Sequence, residues 1–527
     1  MSQPIQTDVI IIGGGLSGLA AALKIKDANE GSPLQTSYLV LESDAQRLGG
    51  RTYTRDNKDF GGGYIGGSQN YILFLIRRYG LETLQTYLPP DKSWLYRAAN
   101  GLLDPPYAGD DPLQFPGGLN ALGGLLKLDG LALEVRRHLL DPENSPLASF
   151  DQITVQQYID SERQANQQNP ATGMTATTAE VFTTSVRSAF SLEPREISFF
   201  FLLYYAATAG SYSALVDVEG GTGAAEATRL TFGTRDLIDK MVADIGANNI
   251  KHDAKVKSVA YDAHGVTVTT TRGQVYKAKR AIVAMSPPVS GLIDYQPAFS
   301  SGDGLKRAQL CTEMGKALGR TIKGFVNFRA PVWRGKKLMG YSLSAADYKQ
   351  YPLDWTLDNC WTKPGDDVPT RYSLMTFIVG DAADYWSKQP LKARASAVLA
   401  DIKATFAITD ADLLDPKNPE SNYEEENWPL QTQYRLGAPD AMMGPGTLTK
   451  YGSALRTPIG PIHWAGAEAA TEWAGYMNGA IESGFRAAME AVLALAAAGA
   501  APPGPPTPPG AGPHASGRAV AKGGKAA

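Results

Sequence analysis

Three glycines near the start of the chain have the spacing of a phosphate-binding turn. Gly13, Gly15 and Gly18 form the pattern GxGxxG within "DVIIIGGGLSGLAAAL". Gly13 permits a tight turn, Gly15 lets the backbone approach a pyrophosphate, and Gly18 allows a helix to pack closely on a strand. The start of that helix offers unpaired N–H groups and a partial positive charge to an anion. The pattern therefore predicts a dinucleotide site.

A carboxylate and a second pair of glycines follow this turn. Glu42 ends the apolar run in "SYLVLES", where its carboxylate can accept both hydroxyls of a ribose and repel a 2′-phosphate. Gly49, Gly50 and Arg51 come next, and both backbone N–H groups and a guanidinium match phosphate oxygens. We therefore expect a second contact with the same pyrophosphate.

The hydrophobic pattern predicts the elements that position these residues. "DVIII" and "SYLVLES" are typical of buried parallel strands, and "LSGLAAALKIKDA" between them has the helical period. "KVKSVAYDAHGVTVTTTRGQVYKAKRAIVAM" indicates a β-meander that returns to the same sheet. Later segments predict two helices ("AEVFTTSVRSAF" and "REISFFFLLYYAATAG"), two strands ("GRTIKGFVNFRAPVW" and "RYSLMTFIVG") and a helix ("PLKARASAVLADIKATFA").

The order of these motifs resembles the flavin-containing amine oxidases. GxGxxG, a carboxylate at a strand end, and then "RLGGR" form the opening of that family, although the spacing from Glu42 to Arg51 is one residue longer here. "DFGGGYIGGSQN" continues the resemblance, with Asp59, Gly61, Gly62, Tyr64, Gln69 and Asn70 in matching positions. The resemblance implies bound FAD and a monoamine oxidase-like fold of two domains.

The C-terminal part of the chain resembles the same family. "YEEENWPLQTQY" and "HWAGAEAATEWAGYMNGAIESGFRAAMEAV" match it almost without gaps. The resemblance places Trp428 near the flavin, and Gly466 and Glu468 beside its ribityl chain and pyrophosphate. It also places the start of a helix, at Met477, against the flavin pyrimidine carbonyl, where N–H groups stabilise the negative charge that develops on reduction.

One lysine in the middle of the chain has two interpretations. Lys323 lies in the apolar segment "GRTIKGFVNFRAPVWR", and an isolated lysine there more often extends its ammonium to water. The family has G-x-x-I-K followed by P-x-W-R, and this chain has Gly319, Ile322, Lys323, Pro331, Trp333 and Arg334 in register. In relatives this lysine holds a water against flavin N5 and assists reoxidation, so the resemblance implies a catalytic Lys323.

The substrate end departs from the family pattern. Tyr476 matches one wall of the aromatic cage that guides a neutral amine to the flavin, but Pro439 stands where relatives have the second tyrosine. Ala438 stands where covalently flavinylated relatives have a cysteine, and alanine has no nucleophile. We therefore expect non-covalent FAD, and a pocket that accepts bulkier or differently shaped amines, because Met442 and Met443 offer adaptable apolar surface.

The resemblance thus implies a complete site. The catalytic residues are Lys323, Tyr476 and Trp428; the cofactor-binding residues are Gly13, Gly15, Gly18, Glu42, Arg47, Gly49, Gly50, Arg51, Gly62, Tyr64, Val256, Gly466, Glu468 and Met477; the substrate-pocket residues are Tyr476, Pro439, Gln69 and Leu215. The five histidines lack the spacing of metal ligands, so we expect no metal.

The predicted fold is α/β, with an α+β substrate domain. Residues 1–99, 230–300 and 420–500 are expected to form a discontinuous Rossmann-type FAD-binding domain with a parallel sheet and β-meander. Residues 100–229 and 301–419 are expected to form a substrate-binding domain with a mixed sheet and a helical insertion. The Pro-, Gly- and Ala-rich residues 501–527 cannot bury enough apolar surface to fold and are expected to be a disordered tail.

The composition limits the class of protein further. A net charge of −3, with 43% hydrophobic and 20% charged residues, is ordinary for a globular protein and gives no basic excess for nucleic acid. Two cysteines cannot make a disulfide framework, and neither a signal peptide nor a membrane anchor is recognisable. We expect a cytoplasmic protein with reduced thiols whose partners are an amine and O2, and a homodimer is compatible with the sequence.

The expected function is oxidation of a neutral amine to an imine, then an aldehyde or ketone, with O2 reduced to H2O2. An L-amino acid oxidase would need an arginine for the substrate carboxylate, and relatives of that type place it where this chain has "SQNYI". A specialised oxidase or oxidative cyclase acting on a bulky amine uses the same iminium chemistry, and Pro439 keeps this alternative open. A non-enzymatic flavin-fold protein is disfavoured by Lys323 and Tyr476.

Overall fold

The computed structural model describes residues 3–32, 35–108, 115–217, 225–431 and 436–499. The tail expected at residues 501–527 lies outside the described residues. Both cysteines are buried and free. Among the described helices, none combines the length and apolar character that a bilayer span requires.

The strands are numbered in chain order. They are β1 (Ile5–Ile12), β2 (Tyr38–Leu41), β3 (Thr54–Arg55), β4 (Lys58–Asp59), β5 (Tyr64–Ile65), β6 (Thr83–Gln85), β7 (Ser93–Arg97), β8 (Thr228–Leu230), β9 (Ile250–Lys251), β10 (Val256–Tyr261), β11 (Val266–Thr270), β12 (Val275–Ala284), β13 (Asp294–Gln296), β14 (Thr321–Phe328), β15 (Leu338–Ser344), β16 (Trp355–Asp358), β17 (Tyr372–Val379), β18 (Tyr423–Asn427) and β19 (Ile462–Ala465).

The helices are numbered in the same way. They are α1 (Leu16–Asn29), α2 (Asn70–Tyr79), α3 (Gly118–Arg136), α4 (Val155–Gln168), α5 (Ala176–Phe190), α6 (Phe199–Ala209), α7 (Tyr212–Val216), α8 (Thr234–Ile245), α9 (Pro287–Ser290), α10 (Gly302–Met314), α11 (Val332–Gly335), α12 (Gly380–Trp386), α13 (Leu391–Phe406), α14 (Thr447–Tyr451) and α15 (Met477–Gly499).

The first sheet has the Rossmann core that the sequence predicts. Its strand order is β13-β10-β11-β12-β1-β2-β9, with β19 also paired to β12, and β1, β2, β9, β12 and β19 are parallel. Val9 and Ile11 pack into the hydrophobic cluster that contains α1 and α15 residues, whereas Ile10 and Ile12 pack into the cluster that contains the meander. Because successive side chains of β1 enter different cores, the strand is buried on both faces, as its continuous apolar run predicts.

The last helix packs directly on the first. A Cβ atom added to Gly484 in α15 would lie 2.2 Å from the carbonyl oxygen of Ser17 in α1. Real Cβ atoms do not approach an oxygen so closely, so the two helices depend on glycine at this crossing. The contact brings the C-terminal segment next to the glycine turn at the start of α1.

The second sheet is mixed and lies beside the first. Its order is β18-β14-β17-β16-β15-β7, antiparallel except for the β15–β7 pair. In β14, Ile322 and Val326 pack into the cluster that contains α12 and α13 residues, while Phe325 packs with Phe60 in another cluster. Since side chains alternate along a strand, Lys323 shares the face of Phe325.

The helical region expected for the insertion is present. Helices α5 and α6 correspond to the two predicted apolar segments, and every residue of α6 is buried. Their side chains belong to a large cluster that also contains Met442, Met443 and Trp473. The two-domain α/β architecture is therefore confirmed in its main features.

Two strands pair differently from the expected domain ranges. β7 lies within residues 1–99 and β18 within 420–500, but both pair in the second sheet. Each is a five-residue strand whose partner in the sheet, β15 for β7 and β14 for β18, is distant in the chain. The sheet topology therefore favours moving these two strands to the substrate-binding domain, while the domain division itself remains a prediction.

Candidate active site

A single continuous cavity runs between the two sheets. Its first end is lined by the glycine turn, the ends of β2 and β12 and the start of α15: Gly13, Gly15, Leu16, Ser17, Glu42, Ser43, Gly49, Gly50, Arg51, Ala284, Met285, Gly466 and Met477. Its second end is lined by helices and the second sheet: Ser185, Ser188, Tyr205, Leu215, Glu226, Thr321, Tyr341, Trp355, Phe377, Ala438, Pro439 and Tyr476. Phe60 to Tyr64, Lys323 and Trp428 lie in its wall as well. The cavity thus joins elements from both expected domains.

The glycine turn builds a backbone cradle at the first end. Gly13 has φ of 110°, and a Cβ there would lie 2.6 Å from the Ala284 carbonyl oxygen. A Cβ at Gly18 would lie 1.9 Å from the Gly13 oxygen, so Gly18 supports the turn from beneath and does not line the cavity. Gly15 faces Gly50, whose added Cβ would lie 3.2 Å from the Gly15 Cα. Side chains at Gly15 and Gly50 would narrow the space between these two segments that a pyrophosphate needs.

Helix α1 begins at this cradle without a capping side chain. Gly15 occupies the N-cap position, and no side chain of the described residues bonds to the first-turn amides. The first N–H groups of a helix have no partner within the helix, so they remain available to an anion.

Glu42 is fixed at the end of β2. One oxygen of its carboxylate accepts from the Gly14 amide at 2.8 Å, and the other accepts from the Asp44 amide at 2.7 Å. These two bonds hold the carboxylate at the cavity wall. A contact between Glu42 and the ribose of a dinucleotide stays a prediction.

Arg51 makes a buried ionic network. Its Nη1 lies 2.8 Å from Asp440 Oδ1 and 2.8 Å from Glu468 Oε1, and its Nη2 lies 3.1 Å from Glu468 Oε2. The same guanidinium also donates to the Pro439 carbonyl, at 2.9 Å. The sequence predicts this guanidinium for phosphate, whereas in the structure protein acceptors already occupy it.

Tyr205 completes this network. Its hydroxyl donates to Asp440 Oδ2 at 3.2 Å. Burial raises the pKa of Asp440 to about 8, with Arg51 acting to lower it and Glu468 to raise it. Arg51 therefore forms ion pairs with two enclosed carboxylates. Asp440, the less exposed of the two, also accepts a hydrogen bond from Tyr205.

Three other predicted residues lie away from the cavity wall. Arg47 donates to the carbonyls of Gly50 and Thr52 and so braces the loop that carries Arg51. Gln69 is fully buried at the start of α2, outside the described wall, so it does not contribute to the pocket in this structure. Val256 begins β10 and is likewise outside the described wall.

The side chains of Lys323 and Trp428 donate hydrogen bonds to one loop, which contains Phe60 and Gly61. Lys323 Nζ donates to the Gly61 carbonyl at 2.8 Å, and Trp428 Nε1 donates to the Phe60 carbonyl at 2.8 Å. Nζ also lies 5.3 Å from the centre of the Phe377 ring. Burial lowers the pKa of Lys323 to about 8, with Asp59 opposing this shift. The structure therefore encloses the ammonium in the cavity wall, and the snorkelling interpretation is wrong.

Tyr476 lies among aromatic side chains at the second end. Its ring centre is 6.1 Å from that of Tyr205 and 4.9 Å from that of Trp473. Burial raises the pKa of Tyr476 well above its usual value, which keeps the phenol neutral. Pro439 lines the same cavity, and its place opposite Tyr476 stays a prediction.

Several lining residues have no signal in the sequence. Tyr205 stands in a continuous apolar helix, and Trp355 and Phe377, stacked 3.8 Å apart, stand in ordinary apolar strands. Glu226 precedes β8 with no motif around it. Asp440, which bonds to Arg51 and is outside the described wall, has a local indication, because it is a carboxylate within the apolar segment "APDAMM".

The comparisons with known proteins agree with this geometry. The family model "Flavin containing amine oxidoreductase" matches residues 16–492. The chain belongs to this family. It is 30% identical to "Probable flavin-containing monoamine oxidase A" of Dictyostelium discoideum, over 92% of this chain and 97% of that protein.

Solved structures of other family members have the same fold. Cyclohexylamine oxidase from Brevibacterium oxydans IH-35A has a TM-score of 0.79 and 28% identity, and covers 93% of this chain and 99% of that chain. Putrescine oxidase bound to putrescine has a TM-score of 0.77 and 25% identity, and covers 93% of this chain and 100% of that chain. This family member is therefore a flavin-dependent oxidoreductase that acts on CH–NH2 groups with oxygen as the acceptor.

The first end of the cavity fits the FAD of this family. The facing glycines leave room for a pyrophosphate, and the uncapped start of α1 offers it N–H groups. Gly466 has φ of 138° and approaches the Met285 carbonyl closely, so the backbone can pass beside a ligand. Among the described residues, no group of His, Cys, Asp and Glu side chains could hold a metal ion.

Replacing Arg51 should destabilise this oxidoreductase strongly. Arg51→Met leaves Asp440 and Glu468 uncompensated, with only 1% and 4% of their side chains exposed. Loss of one partner of a buried ion pair costs about 3–5 kcal/mol, so the midpoint of urea unfolding should fall accordingly.

Arg78 provides a matched control. It also bridges two carboxylates, of Asp27 and Asp244, but these side chains are 24% and 22% exposed. Arg78→Met should lower the free energy of unfolding by no more than about 1 kcal/mol. The double variant Arg51→Met/Asp440→Asn should recover part of the stability lost in Arg51→Met. Equal destabilisation by Arg51→Met and Arg78→Met would contradict the importance of the Arg51 network.

Proposed function

We propose that this chain is an FAD-dependent oxidase of a neutral amine. The observation that carries the proposal is the single cavity, which leads from a backbone cradle for a dinucleotide to an aromatic pocket, with Lys323 and Trp428 in its wall. FAD held at the glycine cradle would supply the acceptor for a hydride equivalent from the carbon that carries the amine, with O2 as the final electron acceptor. The amine becomes an imine that water hydrolyses to an aldehyde or ketone, and O2 with two electrons and two protons becomes H2O2.

The aromatic end of the cavity supports the binding of an amine in its neutral form. Tyr476 and Tyr205 present rings to the cavity, and the phenol of Tyr476 stays uncharged. Such walls exclude water and favour an uncharged nitrogen whose lone pair is free during oxidation. Tyr476 and Pro439 then set the approach of the amine, and Leu215 contributes to the apolar wall.

Lys323 is proposed as the residue that assists reduction of oxygen. One N–H of its ammonium is held by the Gly61 carbonyl, and the remaining hydrogens can hold a water and supply a proton to reduced oxygen. Its pKa of about 8 keeps a proton on Nζ near neutral pH and makes that proton easier to release than from an exposed lysine.

The cofactor is proposed to be held without a covalent bond. Ala438 lines the cavity and offers no nucleophile. Glu42, Gly49 and Gly50, together with the start of α15 at Met477, would hold the cofactor through backbone groups and a carboxylate. Cytoplasmic location and a homodimer remain predictions from the sequence.

An L-amino acid oxidase is the weaker alternative. Such an enzyme needs a free arginine for the substrate carboxylate. Arg51 is the one arginine among the described residues that line the cavity. It already forms salt bridges with Asp440 and Glu468. A specialised oxidase or cyclase stays the second candidate, since Pro439 removes one wall of the cage and leaves room for bulky amines.

A peroxide-coupled assay tests the function directly. Primary, secondary and diamine substrates, including cyclohexylamine, putrescine and L-amino acids, should be compared at one pH. We expect H2O2 release with at least one class of amine. Turnover of amino acids alone would support the alternative, and no turnover with any substrate would overturn the proposal.

Denaturation tests the mode of cofactor binding. Acid precipitation of the yellow protein should leave the flavin in the supernatant, because Ala438 cannot bond to it. Ala438→Cys is the informative comparison, since it restores a nucleophile at that position. Flavin that stays with the precipitated wild-type protein would contradict non-covalent binding.

Lys323→Met tests the oxygen half-reaction. Reoxidation of the reduced enzyme in stopped flow should slow by about 10²-fold, the range for loss of one acid–base group, while flavin stays bound. In the wild type the rate should fall as pH rises through about 8, because the lowered pKa of Lys323 means that the proton is lost there. The variant should lack this dependence.

Lys316→Met is the control for that experiment. Lys316 lies in the same part of the sequence, but its side chain is 66% exposed and pairs with Glu313. Its replacement should leave reoxidation unchanged. A fully active Lys323→Met variant would reduce Lys323 to a structural role.

A further inference from the structure

Glu226 places a carboxyl group in the substrate end of the cavity. It lies between α7 and β8, and its backbone carbonyl accepts a hydrogen bond from the Thr86 hydroxyl, which fixes its position. Its side chain lines the cavity, and protein atoms otherwise surround it. The Oε2 atom is buried and has no hydrogen-bond partner among the described residues.

The charges in the described cavity wall leave Glu226 without a bonded counter-ion. The acidic side chains there are Glu42 and Glu226, and both oxygens of Glu42 accept from backbone amides. Of the basic side chains, Arg51 is engaged by Asp440 and Glu468, and Lys323 donates to Gly61. Glu226 is therefore the acidic group of this wall that has a free oxygen.

The electrostatic environment of Glu226 is one in which a bound cation would stabilise the ionised carboxylate. Burial and the nearby charge of Asp217 together raise its pKa to about 8, while Lys323 acts to lower it. An enclosed carboxyl without a partner is unfavourable as an anion, so a bound cation would stabilise the ionised form.

The surroundings of Glu226 suit an organic cation. Tyr341, Phe377 and Trp355 line the same end of the cavity. The charge of Glu226 acts to raise the pKa of both Tyr341 and Tyr476, which line the same cavity. Aromatic faces attract ammonium groups, and the effect strengthens where water is excluded.

We propose that Glu226 is the counter-ion for a second ammonium group of the substrate, so that the enzyme prefers diamines or polyamines to monoamines of the same length. This inference rests on the proposed amine oxidation. The cation cannot be the reacting nitrogen, because a carboxylate beside it would hold it protonated and occupy the lone pair that oxidation needs. The substrate therefore carries its charge at one end and reacts, neutral, at the other.

The test compares α,ω-diaminoalkanes with n-alkylamines of the same chain length. For wild-type holoenzyme, kcat/KM should favour the best diamine over its monoamine by at least about 10-fold. In Glu226→Gln this ratio should fall by about 10- to 100-fold, in line with the loss of one enclosed charge pair. Glu143→Gln removes the same charge at an exposed position and should preserve the ratio.

Glu226→Asp separates recognition from a structural role. Aspartate keeps the charge but is one methylene shorter, so the preferred diamine should become about one carbon longer, which a residue that only supports the fold would not cause. This variant also serves if Glu226→Gln does not fold. A wild-type ratio near one, or a ratio and a preferred length that neither variant changes, would overturn the inference. No turnover of any amine would instead overturn the proposed function.

Discussion

The ionic network of Arg51 joins three segments that are far apart in the chain. Arg51 follows the second glycine pair, Asp440 lies 389 residues later and Glu468 lies 417 residues later. Because both carboxylates are almost fully enclosed, neither can ionise stably unless the guanidinium is in place. The cradle loop, the Pro439 segment and the C-terminal segment therefore reach their positions together, and the cavity exists only where all three meet.

The loop from Phe60 to Gly63 extends this dependence to the second sheet. Lys323 holds Gly61 from β14, and Trp428 holds Phe60 from the end of β18. A residue of the substrate sheet and a residue next to it thus set the position of a loop that lines the cavity between the two ends. The chemistry proposed for Lys323 uses the same ammonium that fixes this loop, so its catalytic and positioning effects are coupled. This coupling explains why an enclosed lysine is retained despite the cost of burying its charge.

Sequence patterns predict the parts of the structure that depend on local constraints. Gly13 and Gly18 reveal the turn because a Cβ atom at either position would collide with a backbone oxygen, and apolar runs reveal β1 and β2. The partners of Arg51 and the presence of Tyr205 in the wall depend on packing between distant segments, which no local pattern encodes. The same reason applies to β7 and β18, because the sheet they join depends on strands that are distant in the chain. Gln69 shows the limit of resemblance, since a matching residue at a helix start need not face the pocket.

Gly475, directly before Tyr476, has φ of 84°, and an added Cβ would lie 1.8 Å from Asp440 Oδ2 and 2.1 Å from the Tyr205 hydroxyl. A side chain at Gly475, next to Tyr476, would therefore collide with Asp440 and Tyr205, which belong to the Arg51 network. Helix α5 presents Ser185, Ser188 and Ala189 to the same cavity, and these small side chains can be enlarged one atom at a time. New substrate ranges can therefore arise in evolution or in the laboratory from α5 outward, while the reacting end is inherited unchanged.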